Sequence, residues 1–255
     1  MRDVLDAVAA GDLSPAEAEA KLAGYATGEA GRFDAAREHR SGVPEAVMGA
    51  GKTPDEVADL VATALETTGR GIATRLDDDH RERVLETLAD EHPEATVTGD
   101  ERAGVLVATA ADFERPDLDA SVAVVTAGTS DAVPAGEAAA IAREIGATIT
   151  RLDDVGVASL TRVTDQLDVL REHDVLIVAA GREGALPTVV AGLVDVPVIG
   201  LPVSTGYGYG GEGEAALLGM LQSCTALSVV NVDAGFAAGV QAGLIARRID
   251  AARNE

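Results

Sequence analysis

"VLIVAAGREGALPTVVAGLVDVPVIGLPVSTGYG", residues 175 to 208, decides the fold. Two apolar runs, "VLIVAAG" and "PVIGLP", flank a segment, "ALPTVVAGL", that reads as a helix. A strand with one wet face alternates apolar and polar residues, whereas these runs are apolar nearly throughout. They suit a sheet covered on both faces. The same type of run recurs on either side, as "VAVVTAG" (122–128) and "ALSVVNV" (226–232), again with helical segments between. Strand and helix alternating in this way predict an α/β fold, a parallel, doubly wound sheet between two helical layers. In such sheets ligands bind beyond the carboxyl ends of the strands.

The segments leaving those strands are small and polar: "TAGTSD" (126–131), "RLDDVG" (151–156), "AAGREGALP" (179–187) and "LPVSTGYGYGGEGE" (201–214). Their glycines let a backbone come close to a ligand, and helix N-termini that follow can offer amide hydrogens to phosphate. No P-loop lysine motif is present, and no GxGxxG follows the domain's first strand. Turn chemistry alone leaves two readings open, a phosphorylated small ligand or plain loop building.

Upstream the pattern changes. "SPAE" (14–17) and "TPDE" (53–56) each combine an N-cap hydroxyl, proline at the first helical position and glutamate three residues after the cap, so each predicts a helix start. "GIATR" (71–75), "ATVTG" (95–99) and "GVLVATA" (104–110) read as short strands, with the acidic helix "DDDHRERVLETLADE" between the first two. With a break near "ADFERPDLDAS" (111–121), the expected organisation is a helical and small α/β domain over 1–115 and a larger α/β domain over 116–255.

A net charge of -23, with eighteen arginines but only Lys21 and Lys52 as lysines, speaks against a phosphate backbone as partner. It suits a surface hydrated by carboxylates in a halophilic, high-salt cytoplasm. The low aromatic content argues against base-stacking platforms. The first twenty residues hold five acidic side chains and no apolar block long enough for a signal peptide or a membrane span. A cytoplasmic protein without a membrane partner is expected. "GAGKTPDEV" (49–57) tempts towards a P-loop, but its spacing is wrong. His39, His80, His92 and His173 form no ligand-like cluster in the sequence and read as surface or helix residues.

Cys224, in "LLGMLQSCTALSVVNVD" (217–233), is the only cysteine, which excludes an internal disulfide and the usual cysteine-rich zinc spacings. At a helix-to-strand junction it reads either as a small buried hydrophobe or as a nucleophile.

Taken together, "TAGTSD", "GREGALPTVVAGLVDVPVIGLPVSTGYG", "LLGMLQSC" and, upstream, "SGVPEAVMGAGKTPDEV" (41–57) resemble the LarB family of nickel-pincer cofactor biosynthesis. Its C-terminal domain is similar to PurE-type aminoimidazole ribonucleotide carboxylases. The likeness covers most of the chain. It implies a PurE-like three-layer domain behind a smaller N-terminal one, in a homo-oligomer described as an octamer. The implied substrates are nicotinic acid adenine dinucleotide, carbon dioxide and water, with magnesium assisting hydrolysis and no organic cofactor. The products are AMP and pyridinium-3,5-biscarboxylic acid mononucleotide.

On that resemblance Cys224 is the expected nucleophile. A pyridinium ring is too electron-poor to attack carbon dioxide, but a thiolate added to it leaves an enamine-like carbon that can. Glu183 is the expected proton acceptor; its other reading is a cap for the following helix. Where the purine enzymes carry a histidine before Leu-Pro, this chain has Ala185 before Leu186 and Pro187, which counts against aminoimidazole ribonucleotide as substrate. Ser130 and Asp131 match the pair used near ribose and phosphate. Arg162 and Arg182 are candidate readers of carboxylate or diphosphate. Gly181 and Tyr207 complete the expected substrate contacts, Tyr207 reading otherwise as packing of a glycine-rich lid, and Asp154 is the candidate ligand of magnesium or of a substrate amine. The chain departs from the family at Ser159 and Thr161, where glycine and histidine are expected, and at Ala234 and Ala237. A PurE-type carboxylase or mutase, and a non-catalytic nucleotide-binding module, are the alternatives.

Overall fold

A computed structural model describes residues 2–11, 18, 22 and 24–254. The expected helix start at "SPAE" lies outside them. Two compact units emerge, Met1–Glu114 and Arg115–Glu255.

In the first unit α1 (Arg2–Ala10) is followed by a short antiparallel ladder of β1 (Ala26–Thr27) and β2 (Arg32–Phe33), then α2 (Arg37–Ser41) and β3 (Val47–Met48). Next come α3 (Pro54–Thr68), β4 (Arg70–Thr74), α4 (Asp78–Glu91), β5 (Thr96–Asp100) and β6 (Val105–Thr109). The sheet order is β3-β4-β6-β5, with only the β3–β4 pair parallel. The capping signal at "TPDE" is realised in full. The Glu56 amide donates to Thr53 Oγ1 (3.3 Å), the Thr53 amide donates to Glu56 Oε2 (2.7 Å), and Pro54 occupies the first helical position. Val57, Val61 and Leu65 of α3 close with Val84 and Leu88 of α4 on Ala73, Leu106 and Ala108 of the sheet. His80, expected as a surface or helix residue, is a helical residue but a buried one. Its Nδ1 faces the Asp77 cap carboxylate, and its Nε2 lies 2.9 Å from the Lys52 carbonyl oxygen. The lysine of the P-loop-like phrase thus belongs to a structural turn, its ammonium donating to the Met48 carbonyl (2.8 Å).

The second unit runs β7 (Ser121–Thr126), a 3-10 turn (Thr129–Asp131), α5 (Ala132–Ile145), β8 (Thr148–Leu152), α6 (Leu160–Thr164), α7 (Leu167–Arg171) and β9 (Val175–Ala180). It continues with α8 (Ala185–Ala191), β10 (Val198–Pro202), α9 (Glu214–Leu221), β11 (Ser228–Val229) and α10 (Gly235–Arg253). The five strands are all parallel, in the order β11-β10-β9-β7-β8. The reading of "VLIVAA" as doubly covered holds residue by residue. Val175, Ile177 and Ala179 face α5 and α10 through Ala135, Ala138, Ala238 and Ala242, while Leu176, Val178 and Ala180 face Leu170, Leu186, Val190 and Met220. All six strand residues are buried. At roughly 1.5–3 kcal/mol for each large aliphatic side chain removed from water, these two layers dominate the unit's stability. "ALSVVNV" forms only the two-residue β11, an edge strand with a single neighbour, and its Val230 amide extends the contact by donating to Gly200 (3.1 Å).

Three polar ties close the unit. Phe236 donates its amide to the buried Glu137 carboxylate (3.0 Å), Arg115 pairs with buried Glu144 (3.0 Å), and Arg253 at the end of α10 pairs with Asp174 ahead of β9.

Candidate functional site

After β7 the chain turns to one side to make β8, then crosses to the other side for β9. This reversal opens a crevice at the carboxyl ends of β7 and β9. The loops leaving β7, β8, β9 and β10 all line it, around a cavity of about 240 Å³. Its wall includes Ala127, Gly128, Ser130 and Asp131 from the first loop, Gly156 to Ala158 from the second, Gly181 to Glu183 with Ala185 and Leu186 from the third, and Thr205 to Tyr207 from the fourth. Six of the expected residues, Ser130, Asp131, Gly181, Arg182, Glu183 and Tyr207, therefore meet at one pocket.

Each loop is pinned by its own bonds. Asp131 is buried and accepts from the Gly128 amide (2.9 Å) and the Ser130 hydroxyl (3.3 Å). Burial pushes its carboxyl above the ordinary carboxylate range, and those two donors only partly offset the effect. Thr126, buried at the end of β7, donates its hydroxyl to Asp153 (3.1 Å) and accepts the Asp154 amide (3.2 Å), while its carbonyl accepts the Val155 amide (2.8 Å). Asp153 is thus part of the joint that aims the β8 loop. Thr205 Oγ1 donates to the Ser130 carbonyl (3.4 Å), and the Ser204 amide donates to Asp233 (2.9 Å), which draws the β10 loop over the crevice.

The β9 turn is the tightest part. Arg182 takes a left-handed backbone (φ 49°), and Gly184 follows in the same region (φ 66°). A Cβ on Gly206 would lie 2.5 Å from the Arg182 nitrogen, so only glycine lets the β10 loop pass this close. On the other side the turn rests on α9: a Cβ on Gly219 would lie 2.4 Å from the Glu183 carbonyl oxygen, and one on Gly184 would lie 2.5 Å from the Ala216 carbonyl oxygen. Gly219 and Gly184 are supports that the sequence reading missed. The available signal was a glycine inside the apolar helical run "LLGML", which costs helix propensity and calls for a packing reason. The Glu183 side chain is left well exposed to the pocket and solvent, with Arg182 Nε 3.9 Å away.

Three expected residues lie off the cavity wall. Arg162 and Asp154 form an exposed ion pair with each other (3.0 Å), and Asp154 holds a left-handed backbone (φ 61°). Cys224 is exposed, three residues beyond the end of α9. Its neighbour Thr225 donates to the Thr188 carbonyl (3.4 Å) and packs beside Gly192. That places Thr225, next to the cysteine, alongside the middle and end of α8, whereas the pocket lies at its first residues. No group of three or more potential metal-ligating side chains exists among the described residues, and the Asp154 carboxylate is already engaged by a guanidinium. The described side chains of one chain do not build a protein-borne magnesium cage. A more open hollow of about 450 Å³ flanks α4, lined by Asp77, Asp78, Glu82, Glu86 and Glu101 with Arg81. Its mainly acidic wall offers no convergent set of donors. No helix among the described residues is long and apolar enough to cross a membrane.

Comparison with known proteins finds one family match within each unit. The model of the AIR carboxylase family matches residues 121–255, and that of the LarB/PurE-like N-terminal domain matches 25–109. An uncharacterized protein of Methanocaldococcus jannaschii is 39% identical over 97% of both chains. With the parallel sheet and its crevice falling inside the first match and the mixed sheet inside the second, the chain belongs to the AIR carboxylase family as a LarB-like protein, a PurE-like domain preceded by the LarB-type N-terminal domain.

Proposed function

We propose that this LarB-like carboxylase acts on nicotinic acid adenine dinucleotide, carboxylating its pyridinium ring and then hydrolysing the phosphoanhydride to release AMP and pyridinium-3,5-biscarboxylic acid mononucleotide. The observation that carries this reading is the makeup of the pocket wall. It presents an exposed carboxylate, Glu183, beside the Arg182 guanidinium, and Ala185 stands where a purine carboxylase needs a proton-relaying imidazole. Such a wall can accept a ring proton and read an anion, but it has no histidine with which to run the purine reaction.

In the carboxylation, the Cys224 thiolate adds to a ring carbon of the pyridinium, turning cation and thiolate into a neutral dihydropyridine. The enamine carbon so formed attacks carbon dioxide, which leaves a carboxylate and a hydrogen on one tetrahedral carbon. Glu183 takes that proton, the carbon–sulfur bond breaks with its electrons returning to sulfur, and the ring is again aromatic. Asp131, Ser130 and Gly181 line the same pocket, and this reading gives them, with the backbone amides of the β7 loop, the ribose and phosphate. Water then adds to one phosphorus of the phosphoanhydride, and the bridging phosphorus–oxygen bond breaks with its oxygen leaving on the other phosphate. AMP and the mononucleotide separate as the released protons pass to solvent.

Cys224 is not on the wall of the pocket that Glu183 lines, so this reading brings the thiol to the pocket from a second copy and makes the active form a homo-oligomer. The test is to incubate the protein in high salt with nicotinic acid adenine dinucleotide, a bicarbonate and carbon dioxide source, and magnesium. AMP and a mononucleotide heavier by one carboxyl group are expected by mass spectrometry. No product from the wild type refutes the reading, and turnover of carboxylated aminoimidazole ribonucleotide instead would favour a PurE-type activity.

A further inference from the structure

Arg182 and Tyr207 stand on different loops, yet their side chains meet at the mouth of the pocket. The guanidinium carbon lies 4.3 Å from the centroid of the Tyr207 ring, within cation–π range. Both side chains are exposed, so neither burial nor neighbouring packing fixes the long arginine. Its backbone is nevertheless fixed, by the left-handed turn at Arg182 and by the close passage of Gly206 over the Arg182 nitrogen. Gly206 is also the residue before Tyr207, so the contact that seats the β10 loop on the β9 turn delivers the ring beneath the guanidinium. The competing partner is adjacent: Glu183 Oε2 is 3.9 Å from Arg182 Nε, at the outer limit of an ion pair. An arginine released from the ring can close on that carboxylate, removing a cation from the pocket mouth and tying down the proposed proton acceptor.

We propose that Tyr207 is a positioning residue that works through Arg182. Its ring holds the guanidinium at the pocket mouth, open to a phosphate or carboxylate oxygen of an anionic nucleotide and off Glu183. The proposal rests on the nucleotide reading above and adds a division of labour to it: Arg182 reads the anion, and Tyr207 presents Arg182. A phenylalanine keeps the π face and suffices, whereas an aliphatic residue of similar reach does not.

The experiment is a double-mutant cycle read by calorimetric titration of AMP into the full-length protein in high salt. The variants are Tyr207→Phe, Tyr207→Leu, Arg182→Ala, and Arg182→Ala combined with Tyr207→Leu. Tyr207→Phe is expected to bind AMP within about twofold of wild type, and Tyr207→Leu about two- to fivefold more weakly, the range expected for one exposed cation–π contact. With Arg182 already removed, Tyr207→Leu should weaken binding no further. An undiminished effect of Tyr207→Leu in the Arg182→Ala background would mean that the ring touches the ligand itself, and would overturn the proposal. So would wild-type affinity in Tyr207→Leu, or a loss in Tyr207→Phe as large as in Tyr207→Leu. A wild type that binds no AMP would refute the nucleotide reading and this proposal together, whereas AMP binding without coupling refutes this one alone.

Discussion

Replacing Gly219 by alanine tests whether α9 sets the position of Glu183. The new Cβ would sit 2.4 Å from the Glu183 carbonyl oxygen. A relaxed carbon–oxygen contact is about 3.3–3.6 Å, so relief requires about 1 Å of separation. Neither group is the free end of a flexible side chain. The oxygen is backbone in a turn already holding left-handed conformations at Arg182 and Gly184, and α9 is anchored by buried Ala216 and Met220. Overpacking of this kind costs about 1–3 kcal/mol. Alanine returns about 1 kcal/mol of helix propensity over glycine, so the expected net loss is about 0–2 kcal/mol. The functional effect should exceed the thermodynamic one, because a misplacement of about 1 Å at a reacting group can cost about 100-fold in rate. Gly192→Ala is the control: it stands at the end of α8, but a Cβ there would meet nothing closer than 3.5 Å, and its φ is -80°. Urea unfolding and initial carboxylation rates should be measured on both. Gly219→Ala should retain most of its stability and lose one to two orders of magnitude in rate, while Gly192→Ala stays near wild type in both. A Gly219→Ala protein carboxylating at the wild-type rate would refute the claim that this backbone contact positions the proton acceptor.

Burial raises the Asp131 carboxyl pKa, so the folded state holds this proton more tightly than the unfolded chain does; the stability linked to it is present in acid and lost as pH rises through the folded value. Asp131→Asn, which keeps an oxygen for the Gly128 amide, should therefore show a Tm advantage over wild type that grows from acid to neutral pH in thermal melts. Asp174 has the opposite sign: burial alone would raise it, but the Arg253 guanidinium and the Ser121 amide overcome this and hold it below the ordinary range. Arg253→Ala should accordingly lower Tm at neutral pH and converge on wild type as pH falls through the carboxylate range. Cys224→Ala should fold normally, since the thiol is exposed, and yet abolish carboxylation; full turnover would remove the covalent route while leaving the function intact. Thr53→Ala should cost about 1 kcal/mol by urea unfolding, as loss of an N-cap acceptor usually does.

How far the fold could be read from the sequence depended on how local its causes are. "VLIVAA" and "VAVVT" announce doubly covered strands because each side chain is apolar, whichever face it takes. "TPDE" announces a helix start because its cap, proline and glutamate act within four residues. "ALSVVNV" overstated its strand because strand length also depends on a partner, and at the edge of the sheet there is only β10. His80 was opaque for a similar reason. In an acidic helix it looks solvated, and only the return of the Lys52 turn, 28 residues upstream, gives its ring a buried acceptor.

The site divides along the same line. Residues that follow strand ends gather because the sheet itself gathers them: parallel strands deliver the loops after β7, β8, β9 and β10 to one edge, and sequence order alone predicts this. Cys224 comes instead from the return path, after α9 has carried the chain away from that edge towards the start of β11. Its motif nevertheless groups it in sequence with the site residues. On the proposed function, a residue that a family pattern ties to the pocket but that stands off its wall must be supplied by another copy. The exposure of the thiol and of Leu218 and Leu221 on the same stretch fits that requirement, since a face used between copies need not be polar in the isolated chain. Activity should then depend on assembly. In mixed oligomers, protein lacking the thiol and protein lacking the carboxylate should restore turnover that neither possesses alone.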